Sequence, residues 1–524
     1  MKKIYITSFF VSVTMMLVAQ TEFDAQKLMQ TDIYGTARYM GLAGAMGALG
    51  GDASAIKDNP AGLGVYRKSE ITATYDLMTQ GSSSEWNSKY QLNGGMFRTS
   101  MNNFNFVISS NSNASSGLIS SNWSFSYNRI KNFNREIKLS TLDYNSPTSL
   151  TDYIVNQSGN FSESDVQRKF DNNGYLTYNP YLQNQIQWLP IMAYSTYLIN
   201  PVYNLDSTFS NWVSCLDNNQ HVIQTYNLVE QGYLDEYSLG WSANFDNKLY
   251  FGVTGNIKSL KYTKYGNYQE DFGSSLGFNL CDTSVTSGMG LGLNIGLIYK
   301  PSNFIRFGLS IHNPIPTFYS LNREHYTSLY STLKDSKDSI YNFIEDSPLG
   351  SFDFRLSDPM KINASVAFVF GKFGLLSLEY NFVNLKEMQF LDINRSSTGY
   401  QFENINIKTN LNNLNTLKCG LEIKLNENLA LRGGYSFSSA AVKDEAKKVL
   451  PTNSKEANPE YFIHNYSNSY SCGIGYRNSG FFIDFGYVLK NIGETFTPYN
   501  FKDVTQAKVL TFYRDIVLTV GLRF

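Results

Sequence analysis

The dominant pattern in this 524-residue chain is an alternation of apolar and polar residues that begins at about residue 70. It recurs in segments of roughly nine residues, each with a period of two. Alternate side chains of a strand point to opposite faces, so these segments are predicted to be β-strands with one apolar face. In the last segment, DIVLTVGLRF, that face holds Ile516, Leu518, Val520, Leu522 and Phe524.

The lengths of the links between these segments predict a barrel. After the third strand, short turns alternate with long links, the longest spanning about 130–236. A stretch near 89–97 is interrupted by Asn-Gly-Gly and is assigned to a loop. Short turns at one end and long loops at the other are typical of outer-membrane barrels, whereas a soluble β-sandwich has no reason to separate them. Fourteen strands are predicted, near 70–78, 104–109, 122–129, 237–245, 248–258, 289–300, 304–312, 361–370, 373–382, 417–425, 428–436, 470–478, 481–489 and 514–524.

Charged residues within the strands fall on the face opposite to the apolar one. A lipid-facing surface must be apolar, whereas the lumen of a transmembrane barrel can hold polar groups of both signs. The predicted fold is therefore a 14-stranded antiparallel transmembrane β-barrel with a charged interior. The polar residues assigned to the lumen are Glu379, Glu422, Arg432, Arg477 and Asp484, together with Lys418, Lys424, Asp515 and Arg523.

Composition and charge narrow the classes of function. Aromatic residues make up 15% of the chain and charged residues 17%, and the mean hydropathy of −0.28 excludes a bundle of membrane helices. The formal net charge of −1 gives no electrostatic reason to expect a nucleic-acid partner. No nucleophile–base set, metal-ligand spacing or cofactor motif is found, so a non-enzyme without a cofactor is expected. Residues 331–347 are predicted to form a helix in a loop over the barrel mouth.

The two ends of the chain predict export and insertion into the outer membrane of a Gram-negative cell. Lys2 and Lys3 precede an apolar run that reaches Ala19, which is typical of a cleaved signal peptide covering residues 1–20. The aromatic Phe524 ends the last strand and resembles the signal read by the barrel-assembly machinery. Cys215 and Cys281 lie in long links, and the sequence leaves open whether they form a disulfide.

Residues 21–69 precede the first strand and differ from the rest of the chain. The stretch GDASAIKDNPAGLG is rich in glycine and alanine, and Asp52 is predicted to cap a short helix that runs to about Lys57. The helix must end before Pro60, because the residue before a proline is pushed out of the helical region. We expect this segment to form a compact plug, or hatch, inside the barrel formed by residues 70–524.

The sequence ARYMGLAGAMGALGGDASAIKDNPAGLG resembles the N-terminal hatch of the FadL-type outer-membrane transporters. The resemblance is sharpest over about residues 35–70, and the family's fourteen-stranded barrel agrees with the strand count. It implies passive uptake of long-chain fatty acids or other hydrophobic compounds, gated by the hatch. The hatch residues that match are Asn59, Pro60 and Ala61, flanked by Gly62 and Leu63.

Some of the family's properties have no counterpart in the sequence. The third strand, NWSFSYNRI, contains no proline or glycine that would mark a kink for lateral exit of the ligand. The identity of the ligand therefore stays open, and so does the exit route. Outer-membrane lipids and a hydrophobic small molecule are the expected partners of a monomer. The alternative is a structural or adhesive barrel whose large loops bind other partners.

Overall fold

The structure is a computed structural model that describes residues 20–112, 117–144, 146–183, 185–217, 220–451 and 453–524. The predicted signal peptide, apart from Gln20, lies outside the described residues. Among the helices of the described ranges, none is long and apolar enough to cross a membrane.

A closed antiparallel barrel of fourteen strands forms the body of the molecule, as the sequence predicted. The first and last strands close it through a continuous ladder from Glu70↔Arg523 to Trp86↔Ala507. Tight turns such as Asp246-Asn247 lie at one end, called here the short-turn end. The opposite, long-loop end carries every long connection. In order around the barrel, the fourteen wall strands begin at residues 70, 97, 118, 223, 249, 276, 305, 361, 374, 414, 429, 461, 481 and 507.

The strands are β1 (Glu70–Trp86), β2 (Lys89–Asn93), β3 (Phe97–Asn111), β4 (Leu118–Asn132), β5 (Arg135–Ser140), β6 (Lys169–Phe170), β7 (Leu176–Tyr178), β8 (Ile199–Tyr203), β9 (Phe209–Ser214), β10 (Ile223–Phe245), β11 (Leu249–Gly273), β12 (Leu276–Tyr299), β13 (Ile305–His312), β14 (Thr317–Lys334), β15 (Ile340–Asp346), β16 (Gly350–Asp358), β17 (Lys361–Val369), β18 (Gly374–Val383), β19 (Phe390–Leu391), β20 (Leu414–Lys424), β21 (Leu429–Ser438), β22 (Tyr461–Arg477), β23 (Phe481–Thr497) and β24 (Ala507–Arg523). The helices are α1 (Glu22–Met29), α2 (Ala37–Gly41), α3 (Ala55–Asp58), α4 (Leu150–Gln157), α5 (Glu163–Val166), α6 (Trp188–Ser195) and α7 (Gln401–Asn410). Short 3-10 helices span Pro60–Val65, Ser158–Asn160, Pro180–Leu182, Leu385–Glu387 and Thr398–Tyr400.

Several strands extend well beyond the predicted segments at the long-loop end. β10, β11 and β12 contain 23, 25 and 24 residues, far more than the 9–11 that typically cross a bilayer. Above the membrane band their inner faces pack on the helices of the long 141–222 connection, with Trp188, Met192 and Tyr226 in one buried cluster. At the long-loop end the barrel wall therefore extends beyond the membrane as a sheet whose inner face is covered by these helices.

Two sequence predictions about the loops are wrong. Residues 331–347 form the end of β14, a turn and β15 instead of a helix, because the Asp335 carboxylate accepts hydrogen bonds from the amides of Lys337 and Ser339 and closes a hairpin. The stretch near 89–97 is not a loop. β2 continues the second wall strand beside β1, from Ser82↔Asn93 to Trp86↔Lys89.

Candidate functional site: the barrel lumen

The N-terminal segment, residues 20–66, runs against the inner faces of wall strands around the barrel. Its backbone and side chains exchange hydrogen bonds with groups of many wall strands. These contacts include the Ala37 amide to Thr519 Oγ1 (2.7 Å), Arg38 Nε to Glu422 (2.8 Å), the Gly47 amide to Glu379 (2.8 Å), Asn59 Nδ2 to the Leu297 carbonyl (3.2 Å) and Asn122 Nδ2 to the Leu63 carbonyl (2.8 Å).

Residues 59–63, the Asn-Pro turn, lie near the short-turn end. α3 ends at Asp58, and Asn59 is extended (φ −140°, ψ 105°), as expected for a residue before proline. The Asn59 side chain organises the turn in two ways. Its Oδ1 accepts a hydrogen bond from the Ala61 amide (3.1 Å), and its Nδ2 donates to the Gly47 carbonyl (2.7 Å). The Asn59 side chain therefore binds the turn to the rest of the segment and, through the Leu297 carbonyl, to the wall.

Two wall glycines leave room for the Asn-Pro turn. A Cβ atom added at Gly252 of β11 would lie 2.4 Å from the Pro60 carbonyl carbon, and one added at Gly296 of β12 would lie 2.0 Å from Asn59 Oδ1. Both distances are far below van der Waals contact, so only glycine permits this approach of turn and wall. The turn thus fits a seat that the wall sequence provides.

Six of the charged residues assigned to the lumen form two groups that contact the N-terminal segment, whereas Lys424 is exposed and Arg523 pairs with Glu70. The Arg38 guanidinium pairs with Glu422, which also accepts from Arg432 Nε (2.7 Å). Arg432 also forms an ion pair with Asp484 (2.6 Å), and Asp484 forms another with Arg477 (3.1 Å). A second group joins Glu379 to Lys418 (2.8 Å), whose ammonium lies 3.5 Å from Asp58 of the segment. Buried charges are tolerated only when they are paired, and here the segment supplies part of the pairing.

The first part of the segment, residues 20–36 or the N-terminal arm, reaches toward the long-loop end. α1 begins with a capping box between Thr21 and Asp24. Three contacts tie the helix to elements of the long-loop half: Asp24 to Arg323 of β14 (3.2 Å), Lys27 to Glu230 of β10 (2.6 Å) and Glu22 to Asn410 of α7 (2.6 Å).

A cavity of about 120 Å³ with a mixed polar and apolar lining lies between the arm and the wall. The arm contributes residues 29–34 to its lining, and the rest of the N-terminal segment contributes Tyr39, Lys57 and Asp58. Wall residues complete a lining with charges of both signs: Glu236, Lys258, Asp358, Lys361, Lys418, Lys490 and Asp515.

The third wall strand is interrupted beside this cavity. Its ladder with β3 ends at Asn103↔Asn128, although β3 continues to Phe97 and β4 to Asn132. β5 then lies over the inner face of β1, where Gln80 Nε2 donates to the Glu136 carbonyl (3.0 Å) and Gln80 Oε1 accepts from the Glu136 amide (2.9 Å). The Asp32 amide of the arm donates to the carbonyl of Ile130 at this break (2.9 Å).

Sequence reasoning missed both the break and the arm helix. The break contains no proline or glycine, since the inward path of β5 is set by contacts with β1 that lie far away in sequence. The helix had a signal, because Thr21 followed three residues later by Asp24 is a capping pattern.

The remaining residues singled out in the sequence have plain structural positions. Cys215 and Cys281 are both free thiols, which answers the question of a disulfide between them. The Phe524 and Ser69 backbones exchange two hydrogen bonds of 3.1 Å and close the last rung of the barrel, while the Phe524 side chain is exposed.

Comparisons with known proteins concern the three-dimensional structure. No protein-family model and no curated protein matches the sequence. A Pseudomonas aeruginosa FadL homologue superposes with a TM-score of 0.52 at 10% identity, over 95% of this chain and 99% of that one. The P. putida toluene transporter TodX gives 0.49 at 12% identity, over 94% and 99%. The chain therefore has the fold of the FadL-type outer-membrane barrels, as the resemblance in the hatch sequence implied.

Proposed function

We propose that the protein is an outer-membrane channel for the passive uptake of hydrophobic compounds, closed by its N-terminal segment acting as a hatch. The observation that carries this proposal is the path of the arm. It lines the cavity in the lumen, and its Asp32 amide is bonded to the wall exactly where the third strand is broken. Withdrawal of this one element would join the cavity to the break.

The two parts of the hatch have different roles in this proposal. The Asn-Pro turn, with Asn59, Pro60, Ala61, Gly62 and Leu63, is the anchor, since it is seated on wall glycines and bonded to the Leu297 carbonyl. The arm is the gate, because it lines the cavity and caps the broken strand. Ion pairs and the burial of Phe23, Leu28 and Met29 in an apolar cluster hold it at the long-loop end. In the membrane the short turns face the periplasm, and the ligand leaves sideways through the break in the third strand.

The lining of the cavity favours an amphiphile as ligand. Lysines of the lining are paired with carboxylates, as Lys361 is with Asp58 at 3.7 Å, and such a lysine can exchange this pair for an anionic head group, whereas a plain hydrocarbon offers it no partner. We therefore propose long-chain fatty acids as the ligand class. Toluene, for which the P. putida toluene transporter TodX is named, is the apolar comparison.

Uptake into proteoliposomes tests the function. The purified protein is reconstituted, and entry of radiolabelled oleate and toluene is compared with protein-free vesicles and with vesicles that hold heat-denatured protein. We expect oleate entry to be accelerated at least tenfold and toluene entry to a smaller degree. A protein that inserts as a barrel but accelerates neither probe would favour the structural or adhesive alternative.

The docking of the arm is expected to weaken as pH rises. Burial, together with repulsion by Asp24, raises the pKa of Glu22 from 4.5 to about 7, although the hydrogen bond from Asn410 and the attraction of Lys448 act in the opposite direction. A raised pKa means that the docked arm binds more protons than the released arm, so docking is tightest below about pH 4.5 and is weakened as pH rises through 7. The shift corresponds to roughly 3 kcal/mol at most, at 1.36 kcal/mol per unit.

Amide hydrogen exchange of residues 22–29, corrected for the intrinsic rate at each pH, measures this effect. Protection is expected to fall between pH 5 and pH 8 in the wild type, and the fall should be much smaller in Glu22→Gln. A remaining slope is expected from Glu403 of α7, whose pKa burial also raises to about 7. Equal slopes in both proteins would contradict the assignment to Glu22.

A further inference from the structure

A second interruption of the wall lies on the other side of the lumen, where three neighbouring strands lose their ladders at one height. β13 and β14 are the two halves of the seventh wall strand and are separated by residues 313–316. β16 and β17 are likewise separated by Pro359 and Met360. The ladder between β12 and the seventh strand is missing between the pairs Asn294↔His312 and Gly290↔Tyr319. The ladder between the seventh and eighth strands is missing between the pairs His312↔Lys361 and Thr317↔Asp358.

The residues in this interruption carry few hydrogen-bond donors. The segment Asn313-Pro314-Ile315-Pro316 faces Pro359, so three of these residues have no backbone N–H. The Asn313 amide donates to the Leu293 carbonyl (2.7 Å), which leaves Ile315 as the other donor of the segment. An unpaired donor in a bilayer costs several kcal/mol, so a gap between transmembrane strands is tolerated only where donors are scarce. Because the prolines have no backbone N–H, few hydrogen bonds are lost when this part of the wall opens.

The gap lies within the membrane band and has an apolar outer rim. Eight residues of β13 separate it from the short-turn end, which corresponds to about 20 Å along the axis for strands tilted by about 40°. The apolar band of such barrels is about 25 Å tall, so the gap faces the half of the bilayer next to the long loops. Met289, Leu291 and Ile315 around it are 58%, 64% and 62% exposed.

The cavity reaches this gap from inside. His312, Asn313, Asp358 and Pro359 belong both to the interrupted strands and to the lining of the cavity. An ion pair between Lys258 and Asp358 crosses from β11 to β16 at the inner mouth. The residues of the gap and that ion pair thus lie between the cavity and the apolar rim.

We propose that the proline-rich gap in the seventh and eighth wall strands is a second lateral port, which passes the apolar tail of an amphiphile between the lumen and the outer-leaflet half of the bilayer. The charged inner mouth holds the head group, and the apolar rim receives the tail. The port rests on the proposed uptake function and adds a route parallel to the break in the third strand.

Deletion of Pro314, Ile315 and Pro316 together with Pro359 should close the port without shifting the register of either neighbouring ladder. Removal of the first three equalises residues 313–318 of the seventh strand with residues 291–293 of β12, and removal of Pro359 leaves Met360 alone opposite Asn313. The deletion also keeps His312 and Tyr319 on the inner face. The matched control closes the other route, by a short thiol cross-link between Met101→Cys and Arg129→Cys across the third-strand break, in a background with the four cysteines replaced by serine.

Initial rates of oleate entry into proteoliposomes decide the question, because the rates of parallel routes add. We expect the deletion and the cross-link each to lower the rate, the two losses to sum to the wild-type rate, and the combination to leave under a tenth of it. A deletion variant that assembles and transports at the wild-type rate would overturn the second port and leave the uptake function standing. A wild type that moves no oleate would overturn both. Should the deletion prevent assembly, a cross-link between Leu291→Cys and Ile315→Cys closes the same gap. The cross-linked protein is then expected to lose the same share of the oleate entry rate as stated for the deletion.

Discussion

Substitution of Gly252 by valine is expected to expel the Asn-Pro turn from its seat. The first added carbon would already lie 2.4 Å from the backbone of Pro60, and neither the turn nor the β11 backbone can yield as a flexible side chain would. Overpacking of this kind costs roughly 1–3 kcal/mol and more where backbone is struck, so we expect at least about 3 kcal/mol for the branched side chain. The anchor of the hatch should therefore be released while the wall still forms.

Protease sensitivity and hydrogen exchange of residues 55–66 measure this release. Gly255→Val, three residues further along the same strand, is the matched control, since a Cβ at Gly255 meets no atom within 4 Å. We expect exchange protection of residues 55–66 to fall at least a hundredfold in Gly252→Val and to stay unchanged in Gly255→Val. Both variants should keep the heat-modifiable migration of a closed barrel. Wild-type protection in Gly252→Val would show that the turn does not depend on this seat.

The wall of the barrel could be predicted from the sequence because lipid imposes a simple rule. Each membrane-crossing strand must show apolar residues outward, so alternation as in residues 516–524 marks the strand and its faces. The Asn-Pro turn was equally visible, since the backbone effect of Pro60 on Asn59 is local. The prediction that Asp52 caps the short helix is wrong, because Ser54 holds the N-cap position and the Asp52 carboxylate instead accepts hydrogen bonds from Thr36 Oγ1 and the Ser54 amide.

Features set by distant contacts could not be predicted in this way. Above the membrane band, strands such as β10 are covered by protein on one side and water on the other, and the alternation weakens there. The break in the third strand depends on Gln80 of β1, some fifty residues away from Glu136. The hairpin at 331–347 carries charges at spacings that also suit a helix, and only the turn at Asp335 decides between them. The tertiary partner, and not the local sequence, selects these structures.

A covalent lock on the arm is expected to have the largest effect on uptake. The Lys27 ammonium and the Glu230 carboxylate are 2.6 Å apart, so cysteines at these two positions can be joined by a short bis-methanethiosulfonate, which forms a disulfide with each thiol, releases two methanesulfinates and is cleaved by a reductant. The lock holds α1 in its docked position and keeps the third-strand break capped by Asp32. We expect the locked protein to lose over nine-tenths of its oleate entry, since withdrawal of the arm precedes passage by either wall port.

The matched control places the same reagent outside the gate. Cysteines in place of Lys89 and Asp143, an exposed ion pair at 2.6 Å, form an equivalent bridge that does not involve the arm. That bridge should leave the rate of uptake within about twofold of the unlocked protein. The comparison separates immobilisation of the arm from any general effect of the cross-link on the barrel.

The decisive measurement is the rate of oleate entry in one preparation of the Lys27→Cys/Glu230→Cys protein, taken before locking, after locking and after cleavage of the bridge. An arm that gates the lumen predicts rapid entry, near-complete loss and full recovery. Equal rates in all three states would contradict the account.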